Sequence, residues 1–382
     1  MKAIVNGIFL MDGVEISRGA LLFDQTIAGH VPVKDISAGC EIIDAHGAYV
    51  SPGLIDLHIH GYHGEDASDG SPEGLKVIAK GLLENGVTAF LPTTMTVSWE
   101  EIEAAFDVIR VLRGESQEPG FDGAQILGAH AEGPFINPRR KGAQAEESIL
   151  PPDAGRILKH KDIVSILTMA PEMPGGLEMI SQVTSQSDIV VSIGHTEADF
   201  ELANKAIDAG ANHITHLFNA MTGLNHRKPG VVGAALSRGV VTELIADTFH
   251  VHAGLFGLLQ SIKQDKLVLV TDCTRAGGLR DGEYTLGGQP IIVKGIECRL
   301  ADGTIAGSVL KLNHAVRNLR DKAGLTTAQA VAHASQYPAG VIGMGETKGS
   351  LRAGMDADIV LFDEQLNTKA AYIRGIKKYE RE

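Results

Sequence analysis

Cysteine is scarce in this chain. Cys40, Cys273 and Cys298 are the only three in 382 residues, widely spaced and odd in number. That excludes a disulfide framework, and the expected location is the cytoplasm. No apolar run approaches the roughly 18 residues that a membrane-spanning helix requires. The amino terminus, Met1-Lys2-Ala3-Ile4-Val5-Asn6-Gly7, lacks a continuous apolar signal core. Positive charge is in deficit: 34 Lys and Arg stand against 47 Asp and Glu, a formal charge of −13. Nucleic acid and anionic membrane are therefore disfavoured as main partners. A phosphorylated small molecule is not excluded, because a local basic pocket can outweigh the global field. Two catalytic signatures are also missing. No Gly-rich phosphate loop ends in Lys-Ser/Thr, and no Gly-x-Ser-x-Gly elbow is present.

What is present is ordinary globular composition, 44% hydrophobic and 21% charged, enough for a large core beside a smaller unit. Aromatic residues are few and glycines number 45, which points to many tight turns. Residues 1–50 carry short alternating runs broken by turn signals and read as a small antiparallel unit. From residue 52 the rhythm changes to short apolar runs separated by helical patterns. The spacing predicts strands at Leu54–Ile59, Thr88–Pro92, Gln125–Ala129, Val164–Met169, Ile189–Ile193, His213–Leu217, Thr242–Ala246 and Leu267–Val270. Helices are expected at Glu73–Glu84, Glu100–Leu112 and Asp199–Ala209, with Trp99 in the core at a helix start. Eight strand–helix units are the arithmetic of a (β/α)8 barrel of the TIM type; a doubly wound open sheet is the alternative. Glu283–Leu300 reads as a hairpin insertion, and Val309–Leu319 as a helix packing Val309, Leu312, Val316 and Leu319. Strands at Ala357–Phe362 and Ala370–Ile373 return at the end. The chain termini are thus expected to form one small β-sandwich, giving the division 1–51, 52–345 and 346–382.

The most informative stretch is Pro52-Gly53-Leu54-Ile55-Asp56-Leu57-His58-Ile59-His60. In a strand, residues i and i+2 face the same side, so His58 and His60 project together as two ligands of one metal would. Further polar residues fall at the predicted ends of other strands: His130 and Glu132 at the third, His195 at the fifth, His216 at the sixth, where His213 stands at the start, and Asp272 at the eighth. A barrel builds its active site at the carboxyl ends of its strands. Imidazole with carboxylate suits zinc or iron(II) in a hydrolytic site with an open position for water. Glu132 has the two oxygens needed to bridge two ions, and Asp272 is open to roles as ligand, general base or both.

The pattern Pro-Gly-x-Ile-Asp-x-His-x-His, followed by strand-end histidines and Thr271-Asp272, resembles the amidohydrolase superfamily of metal-dependent hydrolases. Within it, His130-Ala131-Glu132-Gly133-Pro134, Ala170-Pro171-Glu172, Gly194-His195-Thr196, Thr215-His216-Leu217-Phe218-Asn219-Ala220-Met221, Arg227-Lys228-Pro229-Gly230 and Asp302-Gly303-Thr304-Ile305-Ala306-Gly307-Ser308 resemble the N-acetylglucosamine-6-phosphate deacetylase family. The resemblance runs from about residue 50 to 360 and keeps order and spacing. It implies that Glu132, His195 and His216 hold the main metal, that His58 and His60 make a second ion plausible, and that Asp272 is the catalytic acid/base. It implies a phosphorylated N-acetyl amino sugar as substrate, gripped by Asn219, Ala220, Arg227 and His250, with Ala143, Ile305, Ala306 and Gly307 lining its site. It also implies a homodimer in which Arg227 reaches the neighbouring active site.

One position departs from the family. Its usual Lys-Gly-x-His becomes Lys141-Gly142-Ala143-Gln144, and a Gln donates a hydrogen bond but carries no charge. The exact sugar is thereby open, with N-acetylgalactosamine 6-phosphate or another amide as the alternative substrate; a non-enzymatic barrel is disfavoured because all six ligand-type residues are kept. Cys273 reads as packing rather than a nucleophile, Arg139 and Arg140 as solvated loop charges, and His63 and His130 as partners that orient ligands.

Overall fold

The structure, a computed structural model, describes residues 1–381. Its centre is a barrel of eight strands in sequence order, each parallel to the next: Leu54–Ile59, Val87–Thr94, Ala129–Glu132, Val164–Met169, Val190–Ile193, His213–Ile214, Val241–Ile245 and Leu267–Val270. Every residue of the first, second, third, fifth and eighth strands is buried. That accounts for their unbroken apolar runs, since a parallel sheet is covered on both faces. The eighth strand closes on the first beyond its regular end. The Asp272 N–H donates to the His58 carbonyl at 2.8 Å and the His60 N–H to the Cys273 carbonyl at 2.9 Å. Asp56 staples the same seam: its carboxylate accepts from the Thr271 hydroxyl at 2.7 Å and from the Thr271 and His58 N–H groups at 3.3 Å each.

Helices cover the barrel where amphipathic spacing and caps coincide. Ser71 caps Pro72–Leu82, Ser98 and Glu101 form a capping box on Trp99–Glu115, and Asp199 caps Phe200–Asp208. Trp99 is buried against the core, as expected.

Two sheets built from both ends of the chain pack beside the barrel. One has four strands, between Lys2 and Asp44. The other has six, in which Tyr49–Pro52 lies antiparallel to Ile359–Phe362. They share a core that includes Ile4, Phe9, Leu21, Phe23, Val50, Ile359 and Tyr372. From this sandwich the chain enters the barrel through Gly53, where a Cβ would collide with the Thr88 side chain.

Four local expectations are corrected. The third strand is not 125–129. Gln125–Ile126 is a short piece beside the second strand, and the barrel strand is Ala129–Glu132, which moves up to the end of that neighbour. The sixth strand stops at Ile214, because the chain leaves extended geometry to carry His216, at φ 28°, into the barrel mouth. The hairpin is a three-stranded sheet, Gly282–Leu286, Gln289–Lys294 and Glu297–Leu300, with its own small core. The helix expected from Val309 is Leu312–Ala323; Ser308 instead bridges Cys273 in extended form.

Candidate metal centre and active site

The strand-end residues meet at the carboxyl mouth of the barrel. Glu132 is the hub. Its Oε1 lies 3.0 Å from His216 Nε2, 3.1 Å from His195 Nε2 and 3.3 Å from His58 Nε2, while its Oε2 lies 3.2 Å from His60 Nε2. Asp272 Oδ1 stands 3.1 Å from His60 Nε2 and 3.6 Å from His58 Nε2. Two adjoining sets result: Glu132, His195 and His216 on one side, His58, His60 and Asp272 on the other, all buried. His195, His216 and Asp272 have φ of 47°, 28° and 51°, a region costly for residues with a Cβ. That backbone turns three side chains inward at the ends of their strands.

Neighbouring groups fix which nitrogen each imidazole offers. His60 Nδ1 lies 3.1 Å from the Thr93 carbonyl and His195 Nδ1 2.8 Å from the Arg140 carbonyl. A carbonyl only accepts, so both rings carry Nδ1–H and present Nε2 to the centre. His58 Nδ1 lies 3.0 Å from Glu243. Its Nε2 is buried without a hydrogen bond, although carboxylates stand nearby. Such an orphaned nitrogen, beside three further imidazoles and two carboxylates that share the same centre, fits a divalent metal ion.

Charge balance supports the same assignment. Burial alone would raise Glu132, but the surrounding imidazoles hold it well below the usual carboxylate range. Burial alone would lower His60, yet hydrogen bonds to Asp272 and Glu132 push it up to about 10. Without metal, protons hold the site together; a cation can take their place. His130 is different. Its nitrogens bond the Leu57 carbonyl and the Thr168 hydroxyl at 3.0 and 2.8 Å, and burial, with the nearby His58, lowers it to about 3. It is a neutral packing group beneath the centre, edge-on to His58.

Above the centre opens a cavity of about 610 Å³. Of the residues named from the sequence, His60, Glu132, Ala143, His195, His216, Asn219, Ala220, His250, Asp272, Ile305 and Gly307 line it, together with Arg139, Arg140 and Lys141. His58 lies beneath this lining, fully buried, and Ala306 is buried in the small core of the three-stranded sheet. Arg227 stands apart, exposed in a loop outside the lining. Cys273 is buried where the barrel closes, and burial pushes its thiol up, as packing requires. Gln144 also borders the cavity, but both ends of its amide are already engaged. Its Oε1 accepts the Thr96 N–H and its Nε2 donates to Glu132 Oε2, each at 2.6 Å.

Sequence reasoning missed Glu243 and gave no role to Glu172. Glu172 accepts from the Thr196 hydroxyl at 2.5 Å and from Asn137 at 2.8 Å, and so ties down the loop that carries His195. Glu243 could have been found, because a carboxylate inside a run expected to be a buried strand needs a partner.

The barrel and its mouth of imidazoles and carboxylates define a metal-dependent hydrolase. Residues 49–380 match the amidohydrolase family, and the chain belongs to it. Within that family its likeness is to deacetylases of amino-sugar phosphates. It is 41% identical over 330 residues to the N-acetylglucosamine-6-phosphate deacetylase of Bacillus subtilis (strain 168), covering 85% of this chain and 83% of that protein. It is 36% identical over 363 residues to the N-acetylgalactosamine-6-phosphate deacetylase of Escherichia coli O157:H7, covering 92% of each. The crystal structure of N-acetylglucosamine-6-phosphate deacetylase from Pasteurella multocida superposes with a TM-score of 0.93 at 29% identity over all of both chains.

Proposed function

We propose that this chain hydrolyses the acetamide of N-acetyl-D-glucosamine 6-phosphate, giving D-glucosamine 6-phosphate and acetate in amino-sugar catabolism. The observation that carries the reading is the complete set of His58, His60, Glu132, His195, His216 and Asp272 at the floor of a cavity with basic residues on its wall. One or two divalent ions, zinc or iron(II), would be held by these residues. Such an ion supplies Lewis acidity, which at comparable centres brings the pKa of water from about 15.7 to about 7. Asp272, facing the cavity, accepts the proton as the water oxygen attacks the acetyl carbon. It then returns the proton to the sugar nitrogen, which leaves as the amine. The C–N bond breaks, a C–O bond forms, and no covalent link to the protein arises.

Arg140 and Lys141 bring positive charge to the cavity wall of an acidic protein, and His250 stands on the same wall, an arrangement suited to a phosphate. His250 Nδ1 is tied to Asp247 at 2.6 Å, which leaves Nε2 for a ligand. We place Arg227 on the phosphate of a neighbouring subunit in a homodimer; its exposure in its own chain supports this role. Three free cysteines suit a cytoplasmic location. N-acetylgalactosamine 6-phosphate is the second reading, favoured by the Escherichia coli relative.

Acetate release by the metal-replete protein tests both readings, with N-acetylglucosamine 6-phosphate, its galacto isomer and unphosphorylated N-acetylglucosamine compared side by side. Fast release from the first alone is expected, and Arg227→Ala should erase the preference for phosphate. A galacto preference would favour the second reading. No release from any of the three, with metal bound, would overturn both.

A further inference from the structure

Glu243 lies in the seventh barrel strand, fully buried beneath the metal centre and out of reach of the cavity. Its Oε2 accepts two hydrogen bonds: one from the His216 N–H at 2.9 Å, and one from His58 Nδ1 at 3.0 Å. The two histidines belong to opposite ligand sets, yet they hang from one oxygen. His216 has φ of 28°, so its backbone needs a restraint to stay turned into the barrel. His58 needs its Nδ1 proton held away from the centre, so that its orphaned Nε2 faces the ligand position.

We infer that Glu243 is a positioning residue that fixes both halves of the metal centre at once. It sets the tautomer and ring orientation of His58 on one side and the backbone of His216 on the other. Glu132 meets the same two histidines at their Nε2 atoms, on the ligand side; among the described residues Glu243 is the carboxylate that holds His58 at Nδ1 and His216 at its backbone N–H. Its second oxygen is unpartnered and stands 3.9 Å from His213, too far for a hydrogen bond, so the carboxylate is held chiefly by the two ligands it positions. The inference rests on the reading of this site as a divalent-metal centre.

The test is zinc affinity, measured on protein stripped with chelator and titrated with zinc chloride. Glu243→Gln keeps the shape and an accepting oxygen but removes the charge that strengthens His58 as a donor. Glu243→Leu removes the acceptor. Outer partners of metal-ligating histidines are typically worth about 10- to 100-fold in metal affinity, so the zinc Kd should rise about 10-fold in the Gln variant and about 100-fold in the Leu variant. The pH of half-maximal zinc loss should move upward in both, while the melting temperature of the metal-free Gln variant stays at the wild-type value. A purely structural role would give the opposite pattern, moving the melting temperature and sparing the zinc Kd. If the Leu variant fails to fold, the Gln variant decides alone. Wild-type Kd and pH midpoint in the folded variants would overturn the inference while leaving the metal reading intact. Absence of zinc uptake by the wild type would overturn both.

Discussion

Replacing Gln144 by Leu removes two buried hydrogen bonds that no other side chain supplies. The Thr96 N–H loses its acceptor, Oε1 at 2.6 Å, and Glu132 Oε2 loses its donor, Nε2 at 2.6 Å. An unsatisfied buried amide costs about 1–3 kcal/mol, and a hydrogen bond to a charged group contributes about 1.5–3 kcal/mol. Gln144 borders the cavity, so water can replace one of the two partners and recover part of the loss. We expect a net destabilisation of about 2–4 kcal/mol in the metal-free protein. Urea unfolding at neutral pH reads it as a lowered midpoint with an unchanged slope. Gln144→Glu should do worse, because a second carboxylate would face that of Glu132, and its penalty should shrink as the pH falls and one of the two is protonated. Gln144→His should be the mildest change, since an imidazole can accept at one nitrogen and donate at the other. A Leu variant within about 0.5 kcal/mol of wild type, the usual range of a surface substitution, would refute the claim that Gln144 anchors Glu132.

Asp272→Asn keeps an oxygen beside His60 but cannot accept the proton. Turnover should fall by about 10²- to 10⁴-fold while zinc remains bound, measured as acetate release against metal content; a near-normal rate would remove Asp272 from the acid/base role. The raised pKa of His60, about 10 in the metal-free protein, means that metal must displace a proton at pH 7.5. The sign follows from linkage. This group stabilises the metal-free fold fully below its unfolded value of about 6.5, and that contribution is lost as pH rises through about 10. Metal affinity should therefore climb with pH across the same window. Calorimetric titration in buffers of different ionisation enthalpy should show at least one proton released, and buffer-independent heats would refute it.

The barrel was legible wherever burial on both faces forced a continuous apolar run, and Leu54–Ile59, Val164–Met169 and Leu267–Val270 fall where the pattern predicts. It was less legible where tertiary pairing rather than hydrophobicity decides. The third strand shifts along its neighbour between Ile126 and Ala129, and an apolar run carries no mark of that shift. The sixth strand yields to the left-handed backbone that His216 adopts, a demand of the centre and not of local propensity. The ligand residues were visible because charged and imidazole groups interrupt apolar runs at strand ends. Their supports were not, because two are backbone carbonyls, of Thr93 and Arg140, which any residue type provides. Arg227 shows the converse limit. Its sequence context resembles a phosphate contact, yet the structure leaves it exposed outside the cavity, so a motif match alone does not fix where a side chain stands.

The buried charge explains why so many of these features come together. Glu132, Asp272 and Glu243 place three carboxylates within one buried cluster, and isolated carboxylates there would be prohibitively costly. The imidazoles can offset them only by taking up protons, which the raised values of His58 and His60 reflect. A protonated imidazole is no longer a ligand or a stable companion for a second imidazolium, and His58 and His60 have ring centroids only 5.2 Å apart. A divalent cation resolves that conflict, since it neutralises the carboxylates and lets the histidines return to their neutral form. The arrangement is poor as a purely structural core and coherent as a metal centre. A barrel that had lost the metal would gain stability by losing the carboxylates as well, and this chain retains all three.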